Sequence, residues 1–138
     1  MIRDFCLADL PFIYNLGRLI KVDFQNVYNL EDLNKEYANL YVYEEEGCIL
    51  GFLQYEYHFE ITDILNIAVL EERQRKGIGH QLLNYLIENT TSERILLEVR
   101  EKNKCAIQFY QKNGFKEIDR RKKYYGDEDA IVMERSIL

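Results

Sequence analysis

Residues 61–89 read ITDILNIAVLEERQRKGIGHQLLNYLIEN, and this stretch decides the fold. Its first part, Ile61–Leu70, is largely apolar, as expected of a strand in the centre of a sheet. A polar, glycine-bearing loop, Glu71–Gly79, follows it. The apolar residues beyond the loop recur at helical spacing, which predicts an amphipathic helix from Ile78 to about Asn89. The stretch therefore predicts a strand, a glycine loop and a helix in direct succession.

The sequence on both sides of this stretch predicts further strands and helices. Apolar residues at helical spacing predict a first helix that begins near Asp9, with Pro11 in its first turn. Asn103 is a good helix N-cap and Asn113-Gly114 is a C-cap signal, so they bound a last helix. This mixture indicates a mixed sheet with helices on its faces. The other predicted elements are a short helix at 29–38 and strands at 40–43, 49–57, 95–99, 115–121 and 130–138.

The composition is that of one globular domain. The chain has 138 residues, of which 47% are hydrophobic and 30% charged, so it can bury a core of its own. Its net charge of −6 disfavours a nucleic-acid partner, which usually meets a basic surface. Cys6, Cys48 and Cys105 form no CxxC pair, which argues against a zinc site or a disulfide framework. We interpret these cysteines as reduced thiols that serve as packing material.

No part of the sequence is typical of a targeting or membrane segment. Charges interrupt the apolar residues at the N-terminus, Met1–Phe5, so no signal-peptide core is expected there. No stretch reaches the roughly 18 apolar residues that a helix needs to span a bilayer. We therefore expect a soluble, cytoplasmic protein without a membrane partner.

The loop Gln74–Gly79 is a candidate anion site because it lies between a strand and a helix. The first N–H groups of a helix lack backbone partners and carry a partial positive charge, so phosphate oxygens fit there. Gly77 and Gly79 would let the backbone approach such an anion closely. The pattern suits a pyrophosphate, and a charged loop with a glycine turn is the alternative interpretation. Cationic side chains stand beside these glycines in an otherwise acidic chain: Arg73, Arg75 and Lys76.

Two common phosphate-binding motifs do not fit this loop. A P-loop requires GxxxxGK[ST], but Gly79 is followed by His80 and Gln81. A dinucleotide fingerprint requires a glycine where Leu82 stands. The pattern that remains is QxxGxG, which begins at Gln74, after an apolar strand and the three polar residues 71–73.

This QxxGxG pattern, between the strand end Asn66–Leu70 and an amphipathic helix, resembles the acetyl-CoA-binding motif of the GNAT acetyltransferase superfamily. The resemblance runs from about Leu40 to the end of the chain. Within the superfamily the sequence looks most like the ribosomal-protein-alanine N-acetyltransferases. The segments that carry this likeness are LEVR (97–100), RRKKYY (120–125) and EDAIVM (128–133). LEVR, NKCAIQFY (103–110) and NGF (113–115) resemble the second cofactor-contacting half of the superfamily at large.

The resemblance implies an α+β fold of the GNAT type, with a mixed, mostly antiparallel sheet of six to seven strands and about four flanking helices. It implies one acetyltransferase domain over residues 1–138, with acetyl-CoA as the acetyl donor and no metal. The backbone of Ile67, Ala68 and Val69 would lie along the pantetheine and the thioester, and Asn103 would bond to the cofactor on the other side. The pyrophosphate would be lined by Gln74, Arg75, Lys76, Gly77, Ile78, Gly79 and His80.

Two residues are candidates for the proton transfers that acetyl transfer to an amine requires. Glu98 stands inside the apolar strand Ile95–Val99, where burial would make it a stronger base near neutral pH. The resemblance assigns the general base to this position; a glutamate that faces solvent or pairs with Arg94 or Arg100 is the alternative. Tyr110 lies about two turns into the last predicted helix, and its phenol could protonate the departing thiolate. An aromatic core residue with its hydroxyl bound to the backbone is the alternative for Tyr110.

The acceptor is a primary amine in each enzymatic interpretation of this sequence. The resemblance favours a protein N-terminal α-amine, such as that of a ribosomal protein, which attacks directly in a ternary complex. A small-molecule amine, such as a polyamine or an antibiotic, is one alternative, and a CoA-binding sensor without catalysis is another. The family's Pro-Trp stretch is missing, because the chain has no tryptophan. The basic run Arg120–Lys123 is either a solvated strand end or part of the substrate groove.

Overall fold

The computed structural model describes residues 1–20 and 38–137. Within these ranges the chain forms seven strands and three α-helices, and no helix there is long and apolar enough to cross a membrane. Short 3-10 turns occur at Leu7–Asp9 and Glu71–Arg73. The helices are α1 (Leu10–Gly17), α2 (Ile78–Asn89) and α3 (Lys104–Lys112). The strands are β1 (Ile2–Asp4), β2 (Ala38–Glu45), β3 (Cys48–His58), β4 (Ile61–Val69), β5 (Arg94–Arg100), β6 (Lys116–Arg121) and β7 (Ala130–Ser136).

The strands form a mixed, mostly antiparallel sheet of seven strands, which confirms the expected α+β class. β4 and β5 are parallel, through Ile61–Asp63 and Arg94–Leu96. The pairs β1–β2, β2–β3, β5–β7 and β6–β7 are antiparallel. The bounds of α2, β5 and α3 are close to those that the apolar patterns and the helix caps predict. Residues 29–37 of the short helix predicted at 29–38 lie outside the described ranges, and Ala38 begins β2.

β1 is a strand that the sequence does not predict. Three residues are too few to show a period, and the strand forms because it pairs with the distant β2. Ile2 lies opposite Tyr43, and Asp4 lies opposite Tyr41. Non-local pairing of this kind leaves no local trace in the sequence.

Arg3 ties β1 to the start of α1 and to β2. Its guanidinium binds both carboxylate oxygens of Asp9, at 2.8 and 3.0 Å, and its Nε binds Glu44 at 2.6 Å. Asp9 occupies the N-cap position of α1, as predicted, with Pro11 in the first turn. Its side chain does not cap that helix, however, because the carboxylate accepts from Arg3 and from the backbone N–H of Cys6.

The first of two compact units comprises Met1–Tyr57 and Leu65–Thr90. Its described part contains β1, β2, β3, the second half of β4, α1 and α2. The core of this unit forms where α1 meets the strands, and α2 adds a stripe of leucines at helical spacing. The core residues include Ile13, Leu16, Leu40, Val42 and Phe52, and the buried leucines of α2 are Leu82, Leu83 and Leu86.

Gly51 on β3 allows the start of α2 to lie close to the sheet. A Cβ atom at this position would come within 3.0 Å of the Ala68 carbonyl oxygen and 3.2 Å of Cγ2 of Ile78. Because Ile78 is the first residue of α2, this close approach positions the glycine loop that precedes the helix.

The second unit comprises His58–Ile64 and Thr91–Leu138. Its described part contains the first half of β4, followed by β5, α3, β6 and β7. β5 alternates along its length, since Ile95, Leu97 and Val99 are buried while the residues between them are more exposed. α3 begins after its N-cap Asn103, whose Oδ1 accepts a hydrogen bond from the backbone N–H of Ala106 at 3.2 Å.

The three cysteines are exposed, so the interpretation of them as packing material is wrong. Cys6 directly precedes a 3-10 turn, Cys48 opens β3 after a tight turn, and Cys105 lies in the first turn of α3. These places at the ends of elements leave the thiols outside the core.

Candidate functional site

The glycine loop opens α2 with a left-handed glycine at the N-cap. Gly77 is the N-cap residue and has a φ of +87°, a left-handed conformation that favours glycine. The first bond of the helix ladder runs from the N–H of Gln81 to the carbonyl of Gly77, at 2.9 Å. The amides of Ile78, Gly79 and His80 therefore precede the ladder. Among the described residues, a Cβ atom at Gly77 would meet only the Nε2 of Gln81, at 3.9 Å.

Two polar side chains of the loop bond to other described residues, and two others, those of Arg75 and Lys76, do not. Gln74 donates from Nε2 to the carbonyl of Val69 at 3.1 Å, which fastens the loop to the end of β4. Arg73 lies 3.5 Å from a carboxylate oxygen of Glu45. Arg75 and Lys76 are exposed and make no ion pair with the described residues. Arg75 and Lys76 are thus available to an incoming anion. His80, in the first turn of α2, interacts through Nε2 with the Nδ2 of Asn84 at 3.1 Å.

The end of β4, Ile67–Val69, runs directly into this loop. The ladder between β4 and β5 covers Ile61–Asp63 and ends there, so this part of β4 has no partner in that ladder. On the β3 side, the N–H of Leu70 donates to the carbonyl of Leu50 at 2.8 Å. On the β5 side, the backbone groups of Ile67–Val69 therefore take no part in the β4–β5 ladder.

Glu98 does not have the buried environment that the sequence suggests. It lies on the exposed face of β5, because Leu97 and Val99 on either side of it point into the core. Its side chain is 29% exposed, and its Oε1 lies 3.0 Å from the Nε of Arg121. The expectation of burial is wrong, since a strand turns successive side chains to opposite faces. The pairing alternative is correct in kind, but the partner is Arg121 and neither Arg94 nor Arg100.

Tyr110 is buried on α3 and packs against two aromatic rings. The ring centroids of Phe109 and Phe115 lie 5.2 and 5.6 Å from its own. Burial raises the pKa of the Tyr110 phenol, which keeps the hydroxyl protonated at neutral pH. This residue belongs to the core, as one interpretation expected, but no hydrogen bond from its hydroxyl to the backbone is found among the described residues.

One of the two polar atoms of the Asn103 side-chain amide is engaged. The Oδ1 atom caps α3, whereas no described residue bonds to Nδ2. An N–H donor at Nδ2 remains for a ligand.

The segment between β6 and β7 is fastened to β5 by contacts that the sequence analysis missed. Nη1 of Arg100 lies 3.2 Å from the Oε1 of Glu128, and the guanidinium lies 4.0 Å from the centroid of the Tyr125 ring. The buried Glu128 also accepts the backbone N–H of Lys102 at 3.0 Å. These partners are distant in sequence, so no local pattern could reveal them.

The basic run Arg120–Lys123 is likewise tied to nearby carboxylates. Arg120 lies 3.1 Å from Glu101 and 3.4 Å from Asp129, and the same Asp129 accepts the backbone N–H of Lys123 at 2.9 Å. The cations thus hold the turn before β7 in place.

Comparisons with known proteins assign the chain to a family. The profile of the acetyltransferase (GNAT) domain matches residues 36–117. An N-alpha-acetyltransferase of Sulfurisphaera tokodaii is 33% identical over 96% of this chain and 90% of that protein. A ribosomal protein bS18-alanine N-acetyltransferase of Escherichia coli is 35% identical over 91% of this chain and 90% of that protein. This chain belongs to the GNAT acetyltransferase family.

Solved GNAT structures have the same fold. The ribosomal-protein-S18-alanine N-acetyltransferase of Escherichia coli matches with a TM-score of 0.83 and 27% identity, over 99% of this chain and 93% of that chain. A GNAT family acetyltransferase from Elizabethkingia anophelis, with acetyl-CoA bound, matches with a TM-score of 0.81 and 26% identity, over 99% of this chain and 97% of that chain. The GNAT resemblance and fold expected from the sequence are confirmed, and the chain is an N-acetyltransferase.

Proposed function

We propose that this GNAT enzyme transfers an acetyl group from acetyl-CoA to the α-amine at a protein N-terminus, by direct attack in a ternary complex. The observation that carries the proposal is the glycine loop at the start of α2, with its left-handed Gly77 and the amides of Ile78 and Gly79 that precede the helix ladder. A loop of this kind suits the pyrophosphate of acetyl-CoA. A related GNAT structure from Elizabethkingia anophelis has acetyl-CoA bound, which supports the same donor here.

The proposed donor contacts come from the glycine loop, the end of β4 and the cap of α3. Arg75 and Lys76 add positive charge beside the pyrophosphate, and the amides of Ile78–His80 donate to its oxygens. Gln74 acts by holding the loop to β4. The backbone edge of Ile67–Val69 pairs with the amides of the pantetheine, and the Nδ2 of Asn103 donates to the cofactor.

Glu98 is the proposed base. The acceptor's ammonium must lose a proton before its nitrogen can attack the thioester carbon, and Glu98 takes that proton directly or through a water molecule. Because its side chain is 29% exposed, the carboxylate can then return the proton to solvent.

Tyr110 is the proposed acid. As the new C–N bond forms and the C–S bond breaks, its phenol donates a proton to the departing sulfur. The nitrogen loses two protons in all: one leaves through Glu98, and the other restores the phenol. The products are an N-acetylated acceptor, free CoA and one proton released to solvent.

The acceptor is assigned to an α-amine on chemical grounds and by likeness to relatives. An α-amino group has a pKa of about 8, compared with about 10.4 for a lysine, so a carboxylate base suffices for it near neutral pH. The relative from Sulfurisphaera tokodaii is an N-alpha-acetyltransferase, and that from Escherichia coli acts on the alanine of ribosomal protein bS18. A ribosomal protein that begins with alanine is therefore the proposed acceptor.

The test is acetyl transfer to matched acceptors, read by mass spectrometry together with release of CoA thiol. The panel contains a peptide that begins with alanine, the same peptide with a blocked N-terminus and an internal lysine, and a set of polyamines. Acetylation of only the peptide with a free N-terminal alanine supports the proposal. Transfer to polyamines alone would assign a small-molecule acceptor, and CoA binding without any transfer would assign a sensor.

A further inference from the structure

The carboxylate proposed as the base already has a cationic partner. The Nε of Arg121, at the end of β6, lies 3.0 Å from the Oε1 of Glu98 on β5. Both side chains reach solvent, with 54% of Arg121 and 29% of Glu98 exposed. An ammonium that approaches Glu98 therefore meets a guanidinium at the same carboxylate, and like charges at one site repel each other.

The Arg121 guanidinium has a second contact besides Glu98. Its guanidinium carbon lies 5.5 Å from the centroid of the Tyr124 ring, which is within the range of a cation–π contact. Tyr124 is 54% exposed and follows Arg121 in the same turn. The guanidinium can therefore leave Glu98 and remain against its own segment.

The strength of the ion pair decides whether this exchange is feasible. Ion pairs between solvent-exposed side chains contribute up to about fivefold to an equilibrium constant, because water screens the charges and the long side chains lose freedom. A pair of that strength holds Glu98 when the site is empty and yields readily to another cation.

We propose that Arg121 is a positioning residue that keeps Glu98 paired until the acceptor's ammonium takes its place. This inference rests on the proposed function, since it needs Glu98 as the base. Arg121 then sets the affinity for the acceptor, because each cationic acceptor must displace the guanidinium. The chemical step follows the exchange and does not involve Arg121, so the rate at saturating acceptor is independent of it.

The test compares Arg121→Gln with a matched control, Arg94→Gln. Arg94 lies at the other end of β5 and binds Glu134 at 2.9 Å, so its variant also removes one exposed arginine–glutamate pair. The KM for a peptide that begins with alanine and the kcat are measured at saturating acetyl-CoA. We expect Arg121→Gln to lower the KM about two- to fivefold and to change kcat less than twofold. Arg94→Gln leaves both values unchanged, and Arg121→Lys restores the wild-type KM.

Three outcomes overturn the inference. An unchanged KM removes Arg121 from acceptor binding, a raised KM makes it a direct contact for the acceptor, and a lower kcat makes it part of the chemistry. The wild-type enzyme is measured first with the same peptide. If the wild type transfers nothing, the proposed function fails and the inference falls with it; if only the variant result differs, the inference alone fails.

Discussion

Arg121 Nε lies 3.0 Å from Glu98 Oε1, in a part of the fold where β5 and β6 are both paired with β7. Glu98 is opposite Val132 on β7, and Arg121 is opposite Ala130. The two side chains can therefore meet only in this strand order and register. The environment of the proposed base is thus a property of three strands together.

Replacement of Glu98 by glutamine tests its role as the base. We expect Glu98→Gln to lower kcat about 10²- to 10⁴-fold, because the amide cannot take a proton from the acceptor. Binding of acetyl-CoA, measured by calorimetry, stays close to that of the wild type. Glu134→Gln is the matched control, since it also removes a carboxylate paired with an arginine on this sheet. Full activity of Glu98→Gln would remove Glu98 from catalysis.

Replacement of Tyr110 by phenylalanine tests its role as the acid. The variant keeps the ring that packs against Phe115 and removes a hydroxyl with no hydrogen bond among the described residues. We expect the free energy of unfolding to change by less than about 0.5 kcal/mol, while kcat falls by about 10²-fold or more. Denaturant titration and steady-state kinetics measure the two effects. Lost stability with normal kcat would mark Tyr110 as a core residue only.

The glycine loop is tested by adding a side chain at Gly77. Gly77→Val forces a branched residue into a left-handed conformation and places methyl groups where the pyrophosphate is proposed to lie. Gly47 is the matched control: its φ is +80°, and no atom of the described residues lies within 4 Å of where a Cβ atom would stand there. We expect both variants to lose about 1–3 kcal/mol of stability from backbone strain. Only Gly77→Val should weaken acetyl-CoA binding, by more than about tenfold, and equal affinities in a calorimetric titration would refute the phosphate assignment.

The contact between Arg3 and Asp9 makes stability depend on pH. Hydrogen bonds from the Arg3 guanidinium hold the pKa of the Asp9 carboxyl below its usual value. In the pH range between the lowered pKa and the ordinary value of about 3.9, the unfolded chain therefore binds more protons than the folded one. The stabilisation by Asp9 is fully present above about pH 4 and is lost as the pH falls toward the lowered pKa.

Asp9→Asn removes this effect. At pH 7 we expect the variant to lose about 1–3 kcal/mol of unfolding free energy, since Arg3 and the Cys6 amide lose a charged partner. The difference in unfolding free energy from the wild type narrows below about pH 4, as the Asp9 carboxyl of the wild type becomes protonated. Denaturant titrations at several pH values measure it, with the exposed Asp127→Asn as control. A difference that stays constant down to the lowest pH would contradict the pairing.

The parts of the fold that sequence reasoning reached are those with local causes. The helix α2 follows from the spacing of Leu82, Leu83 and Leu86, and its start follows from glycines whose conformational freedom is a property of the residue itself. Asn103 is predictable as a cap because asparagine favours this position, and its side chain bonds to an amide in the first turn of α3. Such interactions join residues within a few positions, so the order of residues alone determines them.

The environments of the proposed catalytic residues have long-range causes. The apolar neighbours of Glu98 indicate burial, yet its side chain faces outward and lies beside Arg121. The ion pair between Arg100 and Glu128 likewise follows from no local pattern in the sequence. β1 exists only because β2 lies beside it. Strand order and register bring together charged side chains that are far apart in the chain. From the sequence alone, each charged residue has many equally suitable ion-pair partners. Packing of the core selects one register, and that selection gives each charged side chain its partner.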